Sequence, residues 1–212
     1  MQVTQNQRRV AELAILFLFC PLLLGLSIPL WLKLGSCIIA LIYVGIVAFK
    51  LKLFSFKKIP SVPKFIAYFI CLRFISFAII SAFAMWKYAP EKLFYVVINN
   101  PKLWITMSLV YTFVSVIPQE FVYRSFFFKR YQEVISPYFM FAAVSAITFS
   151  FAHFFLNNTL VFVLTFLGGI LFTSSYKKHG SLWLVSAEHS AYGVWLFTIG
   201  LGDMLAFPGG PQ

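Results

Sequence analysis

The chain has 212 residues, of which 61% are hydrophobic, 20% aromatic and only 11% charged, and its formal net charge is +11. A soluble domain carries about 25% charged residues, so this composition excludes an ordinary soluble globular protein. Apolar runs of about 20 residues cross a bilayer as helices, and several such runs predict an all-α polytopic transmembrane bundle.

Seven membrane spans are predicted along the chain. The first apolar run is too long for the hydrophobic region of a signal peptide, so it is kept as a span. No internal repeat, low-complexity segment or long linker separates the spans, and residues 1–212 are therefore expected to form one integral membrane domain. The predicted spans cover residues 10–30, 36–50, 64–86, 103–128, 138–156, 159–176 and 181–200.

The positions of Lys and Arg predict the orientation of the spans. If the spans alternate in direction, twelve basic residues fall on one side and four on the other, which places the N-terminus in the cytoplasm. The positive balance then reflects topology and contact with anionic lipid headgroups, and no nucleic-acid partner is expected. The twelve are Arg8, Arg9, Lys50, Lys52, Lys57, Lys58, Lys64, Arg124, Lys129, Arg130, Lys177 and Lys178, and the four are Lys33, Lys87, Lys92 and Lys102.

Several ionisable residues lie inside predicted spans, where a charged group costs about 3 kcal/mol and is a functional candidate. At a rise of about 1.5 Å per residue, Glu120 lies about 16 Å and His153 about 22 Å from the cytoplasmic turn between the fourth and fifth spans. His189 lies about 12 Å into the seventh span from the side of Lys178. All three depths fall in the middle of the membrane, on helices that enter from the same side. The full set is Arg73, Glu120, Arg124, His153, Glu188 and His189.

Each of these residues also has a structural interpretation. Glu120 and Arg124, four residues apart, can neutralise each other on one helix face, and a single His in a span is more often a hydrogen-bonded structural residue. Arg73 is interpreted as a counter-charge or as a snorkelling side chain. Glu188 can face a headgroup, the site or a partner. The pairing of Glu120 with Arg124 explains neither histidine, and two histidines at the depth of a buried Glu favour a catalytic group.

The chemistry that suits this group is water activation. A carboxylate in an apolar bundle suits a general base, here Glu120, and Arg124 can hold it ionised or orient it. His153 can share the activated water, and His189 can stabilise an oxyanion. No Ser or Cys occupies a nucleophile motif such as G-x-S-x-G.

A metal site is the alternative use of the same residues. Glu120, His153 and His189 could supply the three protein ligands of a catalytic zinc. The helical H-E-x-x-H pattern is absent from the sequence, so zinc is disfavoured and no cofactor is required.

Three short motifs in this region resemble those of the CPBP family of CAAX proteases and bacteriocin-processing enzymes. The family carries E-E-x-x-x-R on one span, F-x-x-x-H on the next and H-x-x-x-N or a variant on a later one. The corresponding stretches here are Gln119–Arg124, Phe149–His153 and His189–Gly193, on successive predicted spans. The motif-bearing core covers about 103–200.

The resemblance implies an intramembrane endopeptidase in a prokaryotic plasma membrane. Its substrate would be a membrane-associated protein or peptide with a CAAX-like end, a leader or a C-terminal sorting signal. By the same resemblance, Gln119, Phe149, Tyr192 and Gly193 position substrate or water.

Two positions depart from the family pattern. Gln119 stands where the family has the Glu that activates water, so either Glu120 is the base or proteolysis has been lost in this branch. Gly193 stands where the family often has Asn, and Tyr192 or a backbone N–H would then replace that donor. The alternative function is therefore a non-catalytic membrane protein on the same scaffold, such as a bacteriocin self-immunity or binding protein. A transporter is less favoured, because no inverted repeat is seen.

Overall fold

The computed structural model describes residues 4–54 and 63–209, and the regular secondary structure of those residues is helical throughout. The all-α class predicted from composition is confirmed. A short helix covers Tyr95–Asn99, and a 3₁₀ turn covers Phe154–Leu156. The long helices are α1 (Gln5–Ala14, a π-helical stretch Ile15–Phe19, and Cys20–Gly25), α2 (Leu30–Lys50), α3 (Lys64–Tyr88), α4 (Pro101–Tyr131), α5 (Tyr138–Phe151), α6 (Thr159–His179) and α7 (Leu182–Thr198).

Among the residues that the structure describes, five helices are long and apolar enough to cross a membrane. They are α2, α3, α4, the segment from α5 to Leu156, and α6. The chain is thus a helical membrane bundle. Because α1 and α7 are not in this set, the count of seven spans stays a prediction, as does the orientation. Two residues of the charge count, Lys57 and Lys58, lie outside the described residues.

Polar side chains at the helix ends show why the helices begin and stop where they do. Thr4 and Gln7 form a reciprocal capping box at the start of α1. The side chains of Asn158 and Ser181 accept hydrogen bonds from backbone N–H groups in the first turns of α6 and α7. Gly180 ends α6 in a left-handed conformation (φ 61°), which glycine adopts without steric cost. The α6–α7 connection is therefore short and sharply defined.

The first connection differs from the prediction. It was expected at residues 31–35, but these residues are helical and the break lies before Leu30. Pro29 accounts for this shift, because proline disfavours helix at the residue before it, and Pro29 itself is the N-cap residue that precedes α2. Lys33, expected in the loop, lies in α2, where its Nζ donates to the carbonyl oxygen of Leu24 at 2.8 Å.

The chain divides into two compact units. Unit 1 consists of Met1–Lys57 and Gln119–Gly180, and unit 2 of Lys58–Pro118 and Ser181–Gln212. Helix α4 contributes to both, and the division falls between Pro118 and Gln119. The expectation of one integral membrane domain stays a prediction.

Aromatic packing forms the core of unit 1. The Phe17 ring of α1 is 2% exposed. It makes edge contacts with Tyr123 and Phe127 of α4 at centroid distances of 5.3 Å and 5.2 Å. Such T-shaped pairs add to the gain from burial. They fix α1 against the part of α4 that carries Glu120 and Arg124.

Helices α5 and α6 approach each other closely through small residues. A Cβ atom at Gly169 would lie 2.7 Å from the Cα atom of Ala146, so only glycine fits there. Close approach through small residues is the usual way in which membrane helices pack. It also brings the hydroxyls of Ser145 and Thr173 to 3.0 Å from each other.

A polar cluster around Glu12 ties α1 to α2 and α4 inside unit 1. The Glu12 carboxylate accepts two hydrogen bonds from Arg130, at 2.8 Å and 2.6 Å, and one from Tyr131 at 2.8 Å. The Tyr43 hydroxyl donates a further bond at 2.7 Å. Bidentate Arg–carboxylate pairs are among the stronger polar contacts in proteins. Glu12 therefore stabilises the packing of α1 against α2 and α4.

We expect Glu12→Gln to lower the free energy of unfolding by about 2–3 kcal/mol, because hydrogen bonds to a charged group contribute about 1.5–3 kcal/mol. The measurement is SDS-induced unfolding of the full chain in lipid–detergent micelles. Glu133→Gln is the matched control, since that side chain is 75% exposed and makes a single 3.2 Å contact with Arg9. Its expected effect is below about 1 kcal/mol. Equal effects of the two variants would contradict the assignment.

Candidate active site

The predicted site residues are distributed over the two units. Unit 1 holds the residues of the first two motifs, and unit 2 holds those of the third. The unit 1 set is Gln119, Glu120, Arg124, Phe149 and His153, and the unit 2 set is His189, Tyr192 and Gly193.

A buried ion pair forms the centre of the unit 1 set. The Nε atom of Arg124 lies 3.1 Å from Oε2 of Glu120, and both side chains are 0% exposed. The pairing of these two residues at four-residue spacing, predicted from the sequence, is confirmed. Neighbouring Gln119 is half-buried on the same helix. Removing one partner of a buried ion pair costs several kcal/mol, because the other charge is then left buried without compensation.

Further groups surround the Arg124 guanidinium. Its Nη1 donates to the backbone carbonyl of Tyr123 at 3.0 Å and to the Ser145 hydroxyl at 3.4 Å. The guanidinium carbon lies 4.9 Å from the ring centroid of Phe149 and 5.9 Å from that of Phe172. Cation–π contacts of this kind are strongest where water is excluded. Arg124 is therefore held on several sides, and it in turn holds the Glu120 carboxylate.

His153 lies just beyond the end of α5 and connects to this pair through Phe149. Its Nδ1 atom is 2.9 Å from the carbonyl oxygen of Phe149, and the two rings make an edge contact at 5.0 Å. A carbonyl oxygen can only accept, so Nδ1 carries the proton. In the neutral ring Nε2 then carries the lone pair, which is the tautomer that a proton acceptor needs. The contacts thus run from Glu120 through Arg124 and Phe149 to His153.

The backbone of α4 is widened on both sides of Pro118. Two π-helical stretches, Tyr111–Val116 and Phe121–Phe126, flank the proline. Proline has no N–H to donate, which disturbs the helical hydrogen bonds before it, and π-helical turns are frequent at functional sites. Arg124 lies in the second stretch.

Within unit 2, His189 has a partner that the sequence analysis missed. The hydroxyl oxygen of Tyr111 lies 3.1 Å from Nε2 of His189. Tyr111 is 9% exposed and His189 is 7% exposed. Nothing in the local sequence marks Tyr111, because tyrosine is common in apolar helices and its partner lies 78 positions away. Gly193 was a signal in the sequence that a neighbouring side chain occupies this space.

Gly193 is shaped to receive the Tyr111 ring. A Cβ atom at position 193 would overlap the Tyr111 hydroxyl and the adjoining ring carbons. A larger residue such as asparagine therefore cannot occupy this place while Tyr111 keeps its position. The asparagine suggested by the family resemblance therefore does not fit beside Tyr111. Tyr192, at the preceding position, packs against the rings of Phe74 and Phe77 at centroid distances of 5.6 Å and 5.2 Å. Its role in positioning substrate or water stays a prediction.

The partner of Glu188, which the sequence left open, is Arg73 of α3. Nη2 of Arg73 donates to Oε1 of Glu188 at 2.8 Å. The Glu188 side chain is 0% exposed, while that of Arg73 is 41% exposed. The prediction that Arg73 is a counter-charge is confirmed. Glu188 is thus accounted for by an ion pair within unit 2.

Metal ligation was the alternative considered for Glu120, His153 and His189. In the described part of each unit, no three His, Cys, Asp or Glu side chains come together as a metal-ligand set. A reaction without a metal stays a prediction.

One comparison found a matching family model. Residues 101–195 match the family model described as type II CAAX prenyl endopeptidase Rce1-like. The matched segment contains α4, α5, α6 and most of α7, and hence all three motifs. No curated protein and no solved structure matched the chain.

Proposed function

We propose that the chain, whose residues 101–195 match the family model described as type II CAAX prenyl endopeptidase Rce1-like, is an intramembrane endopeptidase. It hydrolyses a peptide bond of a membrane-associated substrate. One observation carries the proposal: within unit 1, a buried Glu120–Arg124 pair is linked through Phe149 to a His153 ring whose tautomer is fixed.

Glu120 and His153 share the activation of water in this proposal. A carboxylate accepts up to about four hydrogen bonds, so the contact with Arg124 does not exhaust Glu120. Arg124 keeps Glu120 ionised, and the carboxylate accepts one proton as the water oxygen attacks the carbonyl carbon. The lone pair on Nε2 of His153 orients the same water. Gln119, an amide without useful basicity, positions the water or the substrate.

The remaining steps conserve protons. Attack by water produces a tetrahedral intermediate with an oxyanion, which requires a hydrogen-bond donor, and this is the role predicted for His189. The carbon–nitrogen bond then breaks, and the proton held by Glu120 passes to the leaving amine. General acid–base catalysis of this kind contributes about 10²–10⁴-fold in rate.

The family description points to a prenylated C-terminus as the substrate. A prenyl chain places the adjoining peptide at a membrane surface, and a C-a-a-X end is the sequence that carries it. A peptide held at the membrane in this way suits a buried polar pair on an apolar helix, such as Glu120–Arg124 in unit 1. Leader peptides and C-terminal sorting signals are the other substrate classes to be compared with it.

Reconstitution of the full chain tests the proposal. We expect wild type in proteoliposomes to cleave an internally quenched farnesylated peptide that ends in a C-a-a-X sequence. His153→Gln should lower kcat by about 10²–10⁴-fold. His179→Gln is the matched control, because it changes a histidine at the end of α6 that belongs to none of the motifs, and it should retain the wild-type rate.

The non-catalytic alternative is a defined outcome of this experiment. Wild-type protein that is folded and leaves farnesylated, leader and sorting-signal peptides intact would overturn the protease proposal. Retained cellular function of Glu120→Ala combined with His153→Ala, at normal abundance, would then support a binding or self-immunity protein.

A further inference from the structure

We propose that Tyr111 is a positioning residue for His189: its hydroxyl donates to Nε2 and holds the imidazole in the tautomer that carries its proton on Nδ1. This inference rests on the proposed function, in which His189 is the oxyanion donor. The observation behind it is the 3.1 Å contact between the Tyr111 hydroxyl oxygen and Nε2 of His189.

The direction of the hydrogen bond follows from the acidity of the two groups. A phenol has a pKa of about 10, and it is a stronger donor than the N–H of a neutral imidazole. In a site shielded from water, the phenol therefore donates and Nε2 accepts. One ring nitrogen of histidine sets the state of the other, so Nδ1 becomes the donor of His189. An oxyanion requires a donor of that kind.

Packing fixes the Tyr111 ring in place. Its centroid lies 4.9 Å from that of Phe197 and 5.8 Å from that of Phe207, in edge contacts. Val116, at 0% exposure, belongs to the same buried cluster. On the remaining side, the ring lies against Gly193, where any Cβ would overlap it. A ring confined in this way presents its hydroxyl in one direction.

The roles of Gly193 and Tyr111 are therefore joined. Gly193 leaves the space, and Tyr111 uses it to bring a hydroxyl to His189. In the helix, Gly193 is one turn beyond His189, at four-residue spacing, so both face the same neighbour. A side chain at position 193 would displace the phenol from His189. The proposal thus predicts the same effect from two substitutions of opposite kind.

The test is nitrogen-15 NMR of histidine-labelled full-length protein in lipid nanodiscs. The chain has 3 histidines, so His153→Gln and His179→Gln variants assign the His189 signals. In wild type we expect Nδ1 of His189 to be protonated and Nε2 to be unprotonated. Tyr111→Phe keeps the ring and removes the hydroxyl, and it should produce a mixture of both tautomers. With the farnesylated peptide, kcat should fall about tenfold while KM changes little, since one hydrogen bond is lost.

Two further variants complete the design. Gly193→Ala should shift the His189 tautomer in the same direction as Tyr111→Phe. Tyr43→Phe, which removes a phenol hydrogen bond to Glu12 in unit 1, should leave the His189 signals unchanged. Wild-type His189 protonated on Nε2, or equal tautomer populations in wild type and Tyr111→Phe, would overturn the proposal. Because these signals are read without substrate, an inactive wild type would contradict the protease proposal alone.

Discussion

Replacing Glu120 with glutamine is expected to lower kcat for the farnesylated peptide by about 10²–10⁴-fold, because the amide cannot accept the proton of water. The substitution is nearly isosteric, so KM should change much less than kcat. The measurement is the initial rate of peptide cleavage in proteoliposomes as a function of substrate concentration. A Glu120→Gln variant with the wild-type kcat would rule out Glu120 as the base.

Controls must separate catalysis from stability, since the Glu120 carboxylate is also part of a buried ion pair. Glu188→Gln is matched in burial and pairing, because that side chain is 0% exposed and contacts Arg73 at 2.8 Å. It reports how much activity is lost through destabilisation alone. Glu133→Gln removes an exposed carboxylate and should preserve the rate. The loss in Glu120→Gln must exceed both for the catalytic assignment to stand.

Gln119→Glu distinguishes the two interpretations of the departure from the family motif. If Glu120 is the base, an added carboxylate at the adjacent, half-buried position brings a second negative charge into the site and should not raise kcat. A large gain in kcat in Gln119→Glu would instead show that the natural chain lacks its base. The same variant, combined with Glu120→Gln, reports whether position 119 can replace position 120.

Short-range sequence patterns predicted the ion pair of unit 1 and the start of the helix that follows it. The pairing of Glu120 with Arg124 follows from their four-residue spacing on a helix, and the structure bears it out at 3.1 Å. The start of α5 at Tyr138 also agrees with the predicted span 138–156. Both predictions depend on contacts or signals within a few residues.

The rest required contacts between distant parts of the chain. The partner of Glu188 could not be chosen from the sequence, because Arg73 is one of several cations and lies 115 positions away. Tyr111 was not predicted at all, since its contact with His189 depends on the space left by Gly193. The absence of a side chain at one position can be interpreted only when the neighbour that fills the space is known.

The first connection illustrates a different limit. The apolar character of residues 10–32 is nearly continuous, so hydropathy alone did not locate the break. The loop was predicted at 31–35, around the charged residue Lys33. Pro29 was the better signal, because proline restricts both its own backbone and that of the residue before it. Lys33 contacts the carbonyl of Leu24 from within α2, which is how a cation stabilises the end of a preceding helix.

We expect Arg124→Met to lower the free energy of unfolding by about 3–5 kcal/mol, because it leaves the Glu120 carboxylate buried without its counter-ion. It also removes the hydrogen bonds to Tyr123 and Ser145 and the contact with the Phe149 ring. The measurement is SDS-induced unfolding in the same lipid–detergent micelles. The double variant Arg124→Met with Glu120→Gln should lose less than the sum of the two single variants, since it leaves no buried charge uncompensated.

The Arg73–Glu188 pair, in which only the carboxylate is buried, provides the comparison. Arg73→Met removes the counter-ion of Glu188, but the Arg73 side chain is 41% exposed, whereas that of Arg124 is 0% exposed. A partly exposed cation is better solvated and its removal should cost less, so the coupling energy between Arg73 and Glu188 should be smaller than that between Arg124 and Glu120. If Arg124→Met and Glu120→Gln were additive, the carboxylate would not depend on the guanidinium. Arg124 could then not be the group that keeps Glu120 ionised for catalysis.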